Sequence, residues 1–127
     1  MTPRFDAIGI VCEDIAVSLE FYKLLGVPVP SEWEGPHVEA VLPGGIRLMF
    51  DALSLIKDMD PNWVPAEGHR MGLAFDCTSP DGVNSAYKAI IDAGFRAAKE
   101  PWDAFWGQRY AQVIDPDGNT VDLFAPL

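Results

Sequence analysis

Arg70-Met71-Gly72-Leu73-Ala74-Phe75-Asp76-Cys77 repeats, at a constant offset of 65 positions, the stretch Phe5-Asp6-Ala7-Ile8-Gly9-Ile10-Val11-Cys12. The match pairs Ala7 with Gly72, Ile8 with Leu73, Gly9 with Ala74, Ile10 with Phe75 and Cys12 with Cys77, and runs on to Tyr22 with Tyr87 and Lys23 with Lys88. Both stretches read as short strands, and each is followed by a helix-start signal. In the first copy Asp14 caps a helix whose Ile15, Leu19 and Tyr22 share one face, and Gly26 ends it in the left-handed conformation. In the second, Ser79 caps, Pro80 takes the first helical position, Val83, Tyr87, Ile90 and Ile91 form the stripe, and Gly94 ends it. Extended stretches follow: His37 to Leu42, the turn Pro43-Gly44-Gly45 and Ile46 to Asp51 in the first copy. In the second they are Tyr110 to Ile114, the turn around Asp115-Pro116-Asp117-Gly118-Asn119, and Thr120 to Phe124. The pattern predicts an α+β protein of two βαβββ modules, module one at residues 4–52 and module two at 68–127. Residues 53–67, with Asp60-Pro61-Asn62 and Pro65, are expected to link them within a single domain spanning 1–127.

A length of 127 residues allows one compact domain or two very small ones. With 49% apolar residues and no apolar run of membrane-spanning length, the chain reads as a soluble globular protein. Its amino terminus lacks a basic segment followed by an apolar one, and two cysteines make a poor disulfide framework, so the expected location is the cytoplasm. Nine Lys plus Arg against nineteen Asp plus Glu give a net charge of -10, which disfavours nucleic acid and anionic membranes and favours a cationic small molecule.

Asp14-x-x-x-Ser18-x-x-Phe21-Tyr22-x-x-Leu25-Gly26 after a strand, and Asp115-Pro116-Asp117-Gly118-Asn119-x-x-Asp122-Leu123 near the carboxyl end, resemble the vicinal oxygen chelate superfamily of glyoxalases, bleomycin-binding resistance proteins and extradiol dioxygenases. The resemblance covers nearly the whole chain. It implies a curved mixed sheet around a cavity and a homodimer, in some members with exchanged modules. Metal-dependent members carry a His in the first strand of a module and a carboxylate in its last. The matching positions here hold Ala7 and Gly72 for the imidazoles and Leu48 or Met49 for the first carboxylate, leaving Asp122 alone. The resemblance therefore points to the metal-free, resistance-type branch, with no metal and no cofactor. His69 reads as a solvated strand-entrance residue sharing parity with Met71, Leu73 and Phe75; His37, with the parity of Glu39, is a minor alternative site. Cys12 and Cys77 read as small hydrophobes of the helix-facing side, and Ser18 and Ser31 as solvated.

Strand alternation puts Ile8, Ile10 and Cys12, like Leu73, Phe75 and Cys77, towards the helices, and Ala7 and Gly9, like Gly72 and Ala74, on the opposite side. That small-residue floor suits a cavity. Setting Val113 opposite Val121 and Ala111 opposite Leu123 leaves Tyr110, Gln112, Asp122 and Phe124 to line it, with Glu39 and Met49 contributing from module one. Trp33, Trp63, Trp102, Phe105, Trp106 and Arg109 are expected to rim it, the tryptophans offering flat faces to a planar or cationic ligand; alternatively Trp106 packs an interface and Arg109 pairs with Asp115 or Asp117. The expected function is non-catalytic binding that sequesters an aromatic natural product or drug, cationic ones included. The alternatives are a glyoxalase-like isomerase or lyase, metal-free through Asp122, Glu39 or Tyr110 or with relocated ligands, and a protein-binding module.

Overall fold

A computed structural model describes all residues, 1–127, and the chain divides into two compact units, Met1–Pro65 and Ala66–Leu127. The first contains β1 (Ala7–Cys12), α1 (Ile15–Leu24), β2 (His37–Val41), β3 (Arg47–Ala52) and α2 (Leu53–Met59). The second contains β4 (Leu73–Asp76), α3 (Pro80–Asp92), β5 (Arg96–Ala104), β6 (Gln108–Ile114) and β7 (Thr120–Pro126). No helix is long and apolar enough to cross a membrane.

Each unit is a mixed sheet, ordered β1-β3-β2 in the first and β4-β7-β6-β5 in the second. In both, the opening edge strand pairs parallel with the last strand, and the helix that follows it leads to the strand at the opposite edge. The caps are those expected: Asp14 accepts from the Val17 amide at 3.4 Å, and Ser79 accepts from the Gly82 amide at 3.0 Å with Pro80 leading the helix. Gly26 and Gly94 close α1 and α3 at φ of 83° and 93°, a region that a β-carbon would strain.

Module two is βαβββ as expected, but module one is not. Residues 27–36 form no strand, so the first sheet has three strands; this segment carries Pro28, Pro30 and Pro36, which cannot donate to a ladder. Residues 53–59, expected as linker, form α2, because Leu53, Leu55 and Ile56 are partly covered against β1 and β3. The strand expected from Arg70 begins only at Leu73, and Met71, placed by parity under the helix, is 78% exposed.

The core of each unit lies between helix and sheet. In the first, Ile10, Cys12, Leu48, Phe50, Val38 and Ala40 meet Ile15, Leu19 and Tyr22, whose ring lies 5.5 Å from that of Phe50. Ser18, expected to be solvated, is fully buried there. In the second, Ala111, Val113, Val121, Leu123 and Ala125 receive Val83 and Ile90 of α3. The ladder sets Val113 opposite Val121 and Ala111 opposite Leu123, the register that alternation requires. Asp115 is buried in the β6–β7 turn, its carboxylate accepting from the Asp117 and Asn119 amides and from the Asn119 side chain at 2.8–2.9 Å.

Candidate functional site

Because one face of each sheet is covered by a helix, the side chains of the other face are those available for chemistry. On the second sheet these are Gly72 ahead of β4, Ala74, Tyr110, Gln112, Ile114, Thr120, Asp122 and Phe124, since Tyr110 stands opposite Phe124 and Gln112 opposite Asp122. Gln112 Nε2 donates to Asp122 Oδ1 at 2.9 Å. Burial pushes the Tyr110 phenol up to about 12, helped by its hydrogen bond to the Asp122 carboxylate, while its bond with Gln112 acts in the opposite sense. Tyr110 therefore keeps its proton at neutral pH and serves as a donor, and Asp122 is held by two neutral groups.

Next to this polar group lies an aromatic one. Trp102 stands opposite Tyr110 in the β5–β6 ladder and so shares its face. The Trp106 ring meets those of Trp102, Phe105 and Tyr110 edge to face, with centroids 5.5, 4.9 and 5.3 Å apart. Such edge-on packing fixes Trp106 without hiding it: Trp106 is 47% exposed and Phe105 91%. Lys99 Nζ sits 5.0 Å from the centre of the Trp102 ring, and the Trp102 indole N–H is shut off from solvent with no acceptor.

At the other end of the same face an open cleft of about 460 Å³ is bounded by His69, Arg70, Gly72, Gln112, Thr120 and Asp122, with Met71, Ala98 and Ile114 between them. Gly72 has ordinary backbone angles, and a β-carbon there would touch only the Thr120 carbonyl, at 3.7 Å. Its bareness thus keeps space open rather than satisfying a turn.

The second unit brings together Gly72, Trp102, Phe105, Trp106, Tyr110, Gln112, Asp122 and Phe124. Arg109 does not join them. It alternates to the helix side, where its guanidinium bonds Asn84 of α3 and Asp103 of β5, both at 3.1 Å, and neither Asp115 nor Asp117 is its partner. Trp33 and Trp63 belong to the other unit, in the strand-free segment and beyond α2. His69 and Arg70 were missed as site residues because counting them into a strand assigned them a parity that the unpaired chain before Leu73 does not have. The available signal was a cation and an imidazole directly ahead of a strand that opens on glycine.

On the first sheet Ala7, Gly9, Glu39 and Met49 occupy the open face, Gly9 and Glu39 both standing opposite Met49. Leu48 is buried on the helix side, so Met49 stands where the resemblance calls for a carboxylate. This face is ionic. His37 Nδ1 lies against Asp51 Oδ1 and Nε2 lies 2.8 Å from Glu39 Oε2, while Arg47 donates to both Glu39 and Asp6. Carboxylates only accept, so the site favours the ring with protons on both nitrogens; the hydrogen bonds to Glu39 and Asp51 raise the His37 pKa and that to His37 lowers the Glu39 pKa. In that protonated form the ring has no lone pair for a metal.

The metal that the fold family uses does not fit these residues. Ala7, Gly72 and Met49 offer no hard or imidazole donor, Asp122 is already engaged by Gln112, and no three His, Cys, Asp or Glu side chains cluster to hold an ion.

Residues 4–123 match the family model for the Glyoxalase/Bleomycin resistance protein/Dioxygenase superfamily. No curated protein matches the chain. Among solved structures it is similar to a glyoxalase/bleomycin resistance protein/dioxygenase family enzyme from Burkholderia phytofirmans PsJN, at 20% identity and a TM-score of 0.83, covering 98% of this chain and 100% of that one. A glyoxalase/bleomycin resistance protein/dioxygenase from Nocardioides is 24% identical with a TM-score of 0.74, covering 100% and 85%. A lactoylglutathione lyase from Agrobacterium tumefaciens is 16% identical with a TM-score of 0.67, covering 98% and 94%. At these identities the likeness is one of fold.

Proposed function

The chain belongs to the glyoxalase/bleomycin resistance protein/dioxygenase superfamily, and from that premise we propose that it is a non-catalytic binding protein that sequesters a planar aromatic small molecule on the open face of its second sheet. The observation that carries this reading is the Trp102, Phe105, Trp106 and Tyr110 cluster, whose rings are fixed edge to face with Phe105 and Trp106 exposed, on the sheet whose other end carries the cleft above Gly72. An exposed, rigid aromatic group next to a few oriented donors is the composition of a ligand site. Support for binding over turnover comes from the donors themselves: Tyr110, raised to about 12, is a poor base, and Asp122 is occupied by Gln112 and Tyr110. In this reading the protein acts as a homodimer, which light scattering measures.

The test is native mass spectrometry of protein purified without added metal, with and without bicyclic and tricyclic aromatic compounds, alongside tryptophan fluorescence. Binding with quenching is expected, and Trp106→Ala should weaken it by about 1 to 3 kcal/mol, the loss typical of an aromatic anchor. Retention of one equivalent of a first-row metal per chain, or unchanged affinity in folded Trp106→Ala, would overturn the reading.

A further inference from the structure

The cleft beside Asp122 holds an electrostatic mismatch. The chain has nineteen acidic residues for nine Lys plus Arg, so cations here have a surplus of partners. Arg4, Arg47, Lys88 and Arg109 have carboxylate partners, while Lys23, Lys57, Arg70, Arg96 and Lys99 have none. Arg70, at the wall of the cleft, has none, although Glu67 lies three residues upstream and Asp122 lines the same cleft. Arg96 also has no ion pair and stands opposite Ile114 in the β5–β6 ladder, which places it on the cleft face. His69 adds a ring nitrogen at the wall, and Thr120 and Gln112 add neutral polar groups at the floor. Asp122, the carboxylate in the cleft, accepts from Gln112 and Tyr110 and forms no ion pair with Arg70.

From this arrangement we propose, resting on the binding reading above, that the ligand is an aromatic acid whose carboxylate or comparable oxyanion lies in the cleft against Arg70, with Arg96 and His69 in support. The guanidinium fork matches two oxygens of a planar anion, and no protein carboxylate lies within ion-pair distance of it. The geometry sets the ligand's length. Tyr110, which ends the aromatic group, and Ile114, which lines the cleft, are four residues apart on β6, about 13 Å along a strand. A fused ring against Trp106 and Tyr110 with an acid at its far end spans that distance. The net charge of -10 suggested a cationic ligand, but charges beyond about 8 Å are screened at physiological ionic strength, so the uncommitted cations at the cleft decide.

The experiment uses the whole chain and planar aromatic carboxylic acids of one to three fused rings, each paired with its own neutral primary amide. An acid should bind at least about tenfold more tightly than its amide, and this preference should shrink as salt rises. Arg70→Ala should abolish the preference, so that acid and amide bind alike. Arg70→Lys should restore part of it, and Lys57→Gln, the same charge change on α2, should leave it intact. Equal binding of acid and amide, or an equal loss in Lys57→Gln and Arg70→Ala, overturns the acid subsite while leaving the aromatic reading standing. Binding of no acid and no amide overturns both.

Discussion

The two sheets present the same grid of open-face positions and fill it with opposite chemistry. Superposing the ladders sets Met49 against Asp122, Glu39 against Gln112, His37 against Tyr110 and Asp51 against Phe124. The first sheet carries charges that satisfy one another: an imidazolium between two carboxylates and a guanidinium between Glu39 and Asp6. The second puts Gln112, Tyr110 and Phe124 in their places and a carboxylate, Asp122, where the first has Met49, leaving cations unpaired and aromatic area uncovered. A face whose polar groups are mutually paired gains little from a ligand, whereas uncommitted donors and exposed rings are free energy still to be gained. The duplicated module thus separated a self-contained surface from a receptive one.

The largest effect is expected where the copies differ in backbone. Position 82 matches position 17 across the repeat, glycine against valine, each amide donating to a helix cap. In the second unit Thr78 adopts φ of 74°, Ser79 bonds the Cys77 carbonyl, and a β-carbon on Gly82 would lie 2.0 Å from that oxygen. Gly82→Val, which copies the first unit, should therefore cost more than about 3 kcal/mol, read as loss of the folded state in urea melts followed by circular dichroism. A stable Gly82→Val protein would show that the two joints are interchangeable after all.

Filling the floor compares the faces directly. Gly72→Leu should occupy the cleft of a folded protein and weaken aromatic binding by about 1 to 3 kcal/mol in a fluorescence titration. Ala7→Leu, its counterpart on the ionic face, should leave affinity unchanged. Equal losses would break the assignment of the ligand to the second sheet, and no loss in either would remove it from the open faces.

The smallest effect belongs to the ionic network, which is solvent-accessible and screened by salt. His37, raised above 6.5, contributes stability that is complete below 6.5 and is lost as pH rises through its raised value. Glu39, lowered from 4.5, contributes stability that is complete above 4.5 and is lost as pH falls through its lowered value. The network should be strongest between 4.5 and 6.5, and NMR should find the His37 ring titrating above an ordinary histidine. Glu39→Gln should bring that midpoint down, and ligand affinity should ignore the change. A His37 midpoint at or below 6.5 would mean that the two faces differ less than their geometry indicates.

The repeat, both helix caps, the helix-facing stripes and the register of the last hairpin were legible in the sequence because each depends on local spacing or on a period of two. The aromatic cluster was legible for the same reason, since Trp102, Phe105, Trp106 and Tyr110 lie in one short segment and meet across one hairpin. Tertiary structure decided what depends on pairing partners. Whether residues 27–36 found a neighbouring strand, and whether His69 to Gly72 joined β4, cannot be read from alternation, because unpaired backbone has no parity. Arg109 and Ser18 show the same limit from the side-chain end. One turned to Asn84 and Asp103 and the other, on α1 itself, was buried, because a side chain's destination is set by which face its element covers. Arg70 became a site residue only by remaining unpaired. That no carboxylate comes within ion-pair distance of it, although Asp122 lines the same cleft, is a fact of three-dimensional arrangement that no spacing along the chain encodes.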